Sequence, residues 1–131
     1  MERHPNVARI EDFLNAYGRG DAAAVGELLA DDIVWHVAGR HRLSGDYRGR
    51  EAVLGYFGQV SDETQGSIKL DPVEVMASDR HGATILRVTG DRAGSRLDTV
   101  MAEAFRFDDE GRVQEFWATA TDQAAIDRFW G

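Results

Sequence analysis

Two ionisable residues stand among apolar neighbours in segments that have the character of β-strands. His36 lies in Ile33–Val37, and Glu103 lies between Met101 and Phe105. Histidine titrates near neutral pH, and a carboxyl group on an apolar wall is costly to bury unless it is paired or protonated. If both side chains reach one cavity, they can move protons without a metal or cofactor. The sequence therefore predicts His36 as a base and Glu103 as a neutral acid that stabilises an enolate.

Each of these residues also has a structural interpretation. His36 would then line a pocket and hydrogen-bond to a neighbour without taking part in a reaction. Glu103 would form a salt bridge to Arg87, whose strand is expected to be adjacent. Arg87 could instead clamp a substrate carboxylate. The sequence leaves these alternatives open.

The composition is that of one acidic globular domain. The chain has 131 residues, a formal net charge of −8 and no cysteine. Its length suits a single domain over residues 1–131, and its charge argues against a nucleic-acid partner because phosphate binders need a clustered basic surface. Without cysteine there are no disulfides, thiolate metal sites or cysteine nucleophiles. No segment has the ~20 apolar residues of a membrane span or the pattern of a secretory signal, so we expect a cytoplasmic protein without membrane contact.

Hydrophobic periodicity predicts the elements that must position the ionisable residues. Helical spacing predicts a helix at 6–17, a second helix capped by Asp21 and a third that begins near Gly49. After residue 66 the apolar period changes to two, which indicates strands. The predicted strands there are Ser67–Ser78, Ala83–Val88, Leu97–Phe107 and Val113–Thr121. With the earlier strand and a last helix at Gln123–Trp130, the order is α-α-β-α-β-β-β-β-α. This order predicts an α+β fold in which a curved, largely antiparallel sheet wraps over three helices and encloses a cone-shaped space.

Five segments give the chain its resemblance to a known superfamily. They are Tyr17–Asp21, Leu28–Val37, Tyr47–Val53, Glu103–Phe107 with the following Gly111 turn, and Val113–Trp117. Together they resemble the nuclear-transport-factor-2-like superfamily, in its SnoaL-like and ketosteroid-isomerase-like branch. The resemblance covers nearly the whole chain and implies a sheet-lined apolar pocket and a homodimer formed through the outer sheet face. It implies no single reaction, because the superfamily includes isomerases, polyketide cyclases, epoxide hydrolases, dehydratases and members without a reaction.

The resemblance matches the chemistry of the branch only in part. Ketosteroid isomerase uses an aspartate base with a tyrosine and a protonated aspartate as donors. Phe13 stands where the tyrosine would be, and Glu103 matches the protonated aspartate. The base matches Val37 without a gap, or His36 with a one-residue deletion before Gly39. Steroid isomerisation by that mechanism is therefore not expected.

Other reactions of the branch are matched to different degrees. The arginine of the epoxide hydrolases is matched by Arg87, but both of their carboxylate positions are lost, one of them to Thr119. SnoaL-type cyclases work without a metal or cofactor, and they are the better match, with His36 and Glu103 as the acid–base pair. No histidine spacing suits a metal site, and His41 is expected to be solvated in a polar loop.

The expected ligand is a small, largely apolar, oxygenated molecule of polyketide or terpenoid type. As an enzyme, the protein would isomerise or cyclise it by proton transfer without a cofactor. The alternative is a non-enzymatic module for ligand binding or dimerisation. The residues expected to bind the ligand are Phe13, Tyr17, Tyr56, Arg87, Met101, Phe105, Trp117 and Thr119.

Overall fold

Residues 3–131, which a computed structural model describes, form four helices and six strands. The helices are α1 (Pro5–Gly18), α2 (Ala22–Glu27), α3 (Arg50–Thr64) and α4 (Gln123–Trp130). The strands are β1 (Leu29–Val37), β2 (Gly45–Arg48), β3 (Lys69–Ala77), β4 (His81–Arg92), β5 (Ser95–Phe107) and β6 (Val113–Ala120).

The strands form one sheet in the order β2-β1-β6-β5-β4-β3. All neighbours are antiparallel except β1 and β6, which run parallel. The long strands β4 and β5 follow one another through a tight turn, as the glycine at position 94 predicts. The predicted α+β class and the curved sheet over helices are confirmed.

The short strand β2 is absent from the predicted order. Its four residues carry no alternating apolar pattern, because the pairing of β2 with β1 depends on backbone hydrogen bonds. In this pairing His36 stands opposite Asp46. Strand β2 extends the sheet beyond β1, so His36 has a neighbouring strand on each side.

Helix starts follow the capping residues that the sequence offers. The side chain of Asp21 accepts a hydrogen bond from the backbone N–H of Ala24 at 3.0 Å, at the start of α2. Asp122 caps α4 in the same way through Ala125 at 3.1 Å. Such caps satisfy N–H groups that have no partner within the helix, so they fix where each helix begins.

The two faces of the sheet have different environments. The inner face packs on α1 and α3 through an aromatic core in which Phe13 lies 5.8 Å from Trp35 and 6.1 Å from Phe105, between ring centroids. The outer face is partly open to solvent, and Val100 and Trp117 are each 38% exposed there. Because side chains alternate along a strand, each strand residue belongs to one face or the other.

Candidate functional site

A cavity of about 130 Å³ lies between the inner face of the sheet and helices α1, α3 and α4. Its walls are mainly aromatic and aliphatic. An apolar cavity of about 150 Å³ is large enough to take up benzene, so this cavity has room for one six-membered ring. Apart from two tryptophans, the lining residues with polar side chains are Tyr17, His36, His41, Tyr56, Glu103 and Gln123.

Glu103 is the one carboxyl group among the lining residues of the described chain. Its side chain leaves β5 on the same face as Met101 and Phe105. The residue is partly accessible, but its Oε1 atom is buried and has no hydrogen-bond partner within residues 3–131. Burial raises the pKa of this carboxyl to about 8, because loss of water disfavours the anion. At pH 7 the side chain is therefore mostly a neutral acid with one oxygen that has no hydrogen-bond partner within residues 3–131.

Two tyrosines share this part of the cavity. Tyr17 comes from the last turn of α1 and Tyr56 from the middle of α3. Burial raises the pKa of both hydroxyls, and the nearby Glu103 carboxylate raises them further. Both phenols therefore stay protonated at any physiological pH. Each can donate a hydrogen bond to an oxygen of a ligand.

His41 is a cavity residue that the sequence did not indicate. It was expected to be solvated, but it is half-buried on the cavity wall, and its ring lies 6.4 Å from that of Trp130. The backbone N–H of Leu43 donates to Nδ1 of His41 at 3.1 Å, so the neutral ring carries its proton on Nε2. Burial lowers the pKa of His41, which favours this neutral form. The residue thus has no free acceptor nitrogen, and a hydrogen bond of its ring with the backbone of Ala38 is one of the smaller effects that raise its pKa.

Helix α4 closes one side of the cavity. Gln123, Ile126 and Trp130 line the cavity from this helix. Two arginines hold its last turn: Arg42 donates to the carbonyl of Trp130 at 2.9 Å, and Arg92 donates to the carbonyl of Phe129 at 3.0 Å. Cations at a helix C-terminus bind carbonyls that lack a partner within the helix, so these contacts anchor the wall.

His36 borders the cavity that holds Glu103, but both of its ring nitrogens are engaged by carboxylates outside it, so the expected acid–base pair is not formed. Its neighbour Trp35 points into the core and stacks on Phe116 at 3.6 Å, so the side chain of His36 projects from the opposite face. The period of two in Ile33, Trp35 and Val37 was the signal for this placement.

Both ring nitrogens of His36 contact carboxylates on the outer face. Nδ1 lies 2.7 Å from Asp46, and Nε2 lies 2.7 Å from Glu115. The hydrogen bond to Glu115 is the largest of the effects that raise the pKa of His36. Arg106 donates to the other oxygen of Glu115 at 2.9 Å. When the ring is protonated, it donates from both nitrogens to these carboxylates, and the raised pKa favours that form, which has no lone pair for a base.

Three further residues expected at the ligand also lie on the outer face. Arg87 donates to Asp98 through Nε at 2.8 Å and Nη2 at 2.5 Å, so it neither pairs with Glu103 nor clamps a ligand in the cavity. Trp117 is 38% exposed and stacks on His36 at 5.7 Å, and Thr119 is exposed on the same strand face. On β6, Trp117 and Thr119 lie on the face opposite to that of Phe116, whose ring enters the core.

The remaining expected residues lie on the side of the sheet that the helices cover. Phe13, Tyr17, Tyr56 and Met101 line the cavity. Phe105 is fully buried behind it and packs edge-on against Phe13 at 6.1 Å. The structure thus brings a neutral acid, two phenols and an imidazole N–H to one small apolar space. Such a set can bind an oxygen atom of an uncharged ligand and exchange protons with it.

Comparison with known proteins identifies the family and the fold. A family model described as a SnoaL-like domain matches residues 10–116. An uncharacterized protein of Mycobacterium tuberculosis is 31% identical over 120 residues, which cover 88% of each chain. The solved structure of Bal32a, from a soil-derived mobile gene cassette, superposes with a TM-score of 0.92 and 35% identity, and 96% of each chain is covered.

More distant solved structures share the fold alone. TerC, co-crystallized with polyporic acid, has a TM-score of 0.83 at 15% identity, covering 96% of this chain and 98% of its own. SalBIII, an epoxide hydrolase/cyclase-like enzyme of pyran ring formation in the polyether salinomycin, has a TM-score of 0.73 at 16% identity, covering 88% and 89%. None of the helices within residues 3–131 has the length and apolar character needed to cross a membrane.

Proposed function

We propose that this chain, which belongs to the SnoaL-like domain family, binds a small, uncharged, oxygenated ring compound and moves a proton on it without a cofactor. The observation that carries the proposal is Glu103, a lone carboxyl in an apolar cavity with an oxygen that has no partner among residues 3–131. A buried polar atom without a partner costs stability, so its presence in the cavity supports a ligand that supplies the missing hydrogen bond.

Glu103 is suited to work as a base as well as an acid. With a pKa of about 8, a minor fraction of molecules carries the carboxylate at pH 7. That carboxylate accepts the proton from a carbon next to a ligand carbonyl, and the electron pair of the C–H bond moves to the carbonyl oxygen. The protonated Glu103 then returns the proton to the same carbon or to a conjugated one. A catalytic group works best when its pKa lies near the working pH.

The enolate oxygen formed in this step needs hydrogen-bond donors. Tyr17, Tyr56 and the Nε2–H of His41 are the candidate donors on the cavity wall, and all three are neutral. Donors fixed in a water-poor site stabilise developing negative charge more strongly than water does. In this proposal the base is Glu103 and not His36. The hydroxyl groups of Tyr17 and Tyr56 and the Nε2–H of His41 bind the enolate oxygen.

Two of the structural neighbours support a ligand of this class. TerC was crystallised with polyporic acid, and SalBIII takes part in pyran ring formation. Both neighbours are under a fifth identical to this chain, so they support the general class of ligand rather than a particular compound.

A second candidate is binding without turnover. The cavity holds a single carboxyl among the residues described, and His41 offers no acceptor nitrogen. A site with one proton-handling group can hold an oxygenated ligand without reaction. The two candidates differ in whether bound ketone exchanges its protons.

Cyclohex-2-enone in deuterated buffer separates these candidates, because NMR reports both binding and loss of α-protons. We expect the wild-type protein to accelerate exchange, with a rate that rises about tenfold per pH unit below 8 and levels above it. Glu103→Gln should lower the rate at least a hundredfold. Glu115→Gln, the matched change on the outer face, should leave it unchanged.

Binding without exchange would favour the second candidate. Equal exchange by the wild-type protein and by Glu103→Gln would contradict the catalytic role of Glu103. If cyclohex-2-enone and phenol both fail to perturb the NMR signals of the cavity residues, the ligand class itself is wrong.

We also propose that two copies pair through the outer sheet face. Ile85, Val100 and Trp117 are each 38% exposed on this face, and large apolar side chains are normally covered when they cluster. Such a contact would leave the cavity on the other side of the sheet unobstructed.

A further inference from the structure

A second and larger cavity adjoins the first on the side of the helices. Its volume is about 430 Å³, and it lies between the end of α1, the start of α2 and the middle of α3. We call it the α1–α3 groove. It is lined by Tyr17, Gly18, Arg19, Gly20, Asp21, Ala22, Val25, Leu54, Phe57, Gly58, Val60, Ser61, Asp62, Thr64, Gly66 and Ile68.

Only a thin wall separates the groove from the cavity at Glu103. Four side chains, those of Tyr17, Phe57, Val60 and Ile68, border both spaces. One face of each therefore meets the cavity and another meets the groove. Phe57 is only partly buried, and its ring contacts that of Tyr17 edge-on at 5.2 Å. Rotation of the Phe57 side chain would connect the two spaces without a change in the fold.

Gly58 lines the groove from α3 and gives a position at which a substitution can fill it. It lies inside α3, where glycine is the least favourable residue apart from proline. No atom lies within 4 Å of the position where its Cβ would be, and its backbone has no positive φ. Neither packing nor backbone geometry therefore requires glycine here. A larger residue at this position would extend into the groove.

We propose that the α1–α3 groove holds the apolar tail of an elongated ligand whose oxygenated ring occupies the cavity at Glu103. This inference rests on the proposed function. The cavity of about 130 Å³ accepts one ring, so a longer ligand must pass the shared wall. The groove continues from that wall, and its charged lining residues are Arg19, which pairs with Asp21, and Asp62. The ligand class is an uncharged ring compound that carries an alkyl or second-ring substituent.

The Kd values of a series of phenols test whether the groove holds an apolar tail. Phenol has the planar C–O–H group of an enol and fills the cavity alone, whereas 4-butylphenol and 4-heptylphenol extend into the groove. For the wild-type protein we expect the Kd to fall about fourfold per methylene that becomes buried. Amide NMR signals of Gly18 and Gly58 should shift with 4-heptylphenol and not with phenol.

Two variants of α3 form the matched test. Gly58→Leu fills the groove. We expect it to raise the Kd of 4-heptylphenol at least tenfold and to leave the Kd of phenol at its wild-type value. Gly55→Leu makes the same change one turn earlier, outside the groove and also without an atom within 4 Å of the Cβ position. Gly55→Leu should leave the Kd of both ligands unchanged. Leucine is a better helix former than glycine, so both variants retain α3.

The outcomes separate the groove from the cavity. Phenol binding with no gain from the alkyl chain, or equal loss for both ligands in Gly58→Leu, would overturn the groove proposal alone. Failure of phenol itself to bind would overturn the groove proposal together with the proposed function.

Discussion

His36 and Glu103 project from opposite faces of the same sheet. Glu103 enters the apolar cavity, whereas His36 lies between Asp46 and Glu115 on the outer surface. The backbone of the sheet separates the two groups. Burial raises the pKa of Glu103, while carboxylate partners raise that of His36. Burial thus favours the neutral form of Glu103 in the cavity, and the carboxylates favour the charged form of His36 on the surface.

Glu103 makes the stability of the protein depend on pH. Its carboxyl has a pKa near 4.5 when unfolded and about 8 when folded. Its favourable contribution is therefore complete below pH 4.5 and is lost as the pH rises through 8. Relative to Glu103→Gln, the wild-type protein should lose on the order of 4 kcal/mol of unfolding free energy between pH 4.5 and 9.

Urea denaturation of both proteins across this pH range measures the difference. Glu115→Gln is the control for loss of a glutamate outside the cavity, because its carboxyl contacts His36 and Arg106 on the surface. Parallel curves for the wild-type protein and Glu103→Gln would show that the carboxyl does not titrate with a raised pKa.

His36 should contribute to stability and not to proton transfer in the cavity. The folded pKa lies above the unfolded value of 6.5, so its contribution is complete below pH 6.5 and is lost as the pH rises through the folded pKa. We expect His36→Gln to cost about 1 kcal/mol at pH 6, as for a half-exposed charged hydrogen bond. The cost should shrink above the folded pKa.

Chemical denaturation and the cyclohex-2-enone exchange assay test both parts of this prediction. His81→Gln, at the exposed start of β4, controls for loss of a histidine. A large drop in exchange rate for His36→Gln would restore His36 as the base and contradict its placement on the outer face.

The sequence predicts the fold well because the fold depends on repeated patterns. The apolar period of the helices, the alternation in β5 and the cap at Asp21 each specify local structure, and all of them agree. The short strand β2 has no such pattern, since it is held by backbone pairing to β1. For this reason the sequence does not predict β2.

The site is less predictable because it depends on which face each strand turns inward. The apolar neighbours Met101 and Phe105 place Glu103 on the inner face correctly. The same reasoning applied to Ile33–Val37 places the side chain of His36 on the outer face, because Ile33, Trp35 and Val37 share the other face. This alternation is hard to see in the sequence, because Val34 on the outer face is also apolar. His41 could not be found locally, because its contact with Trp130 joins a loop to the last helix.

His41 should donate a hydrogen bond to the ligand oxygen. His41→Phe keeps a ring beside Trp130 but removes the Nε2–H, and we expect it to weaken phenol binding about tenfold, the size of one neutral hydrogen bond. His41→Gln retains an N–H donor and should recover part of the affinity. NMR titration with phenol measures all three proteins. Equal Kd values for the wild-type protein and His41→Phe would exclude the contact.

The outer sheet face should hold two copies of the chain together. Val100 lies in the middle of this face, opposite Arg87 on β4, and is 38% exposed. Val100→Lys places a charge at the centre of the contact, where an unpaired buried charge is costly. We expect the wild-type protein to sediment as a dimer and Val100→Lys as a monomer. Ala52→Lys, on the exposed side of α3, makes the same charge change away from this face and should remain dimeric. Sedimentation equilibrium over a range of concentrations distinguishes these states, and a wild-type monomer throughout would contradict the pairing.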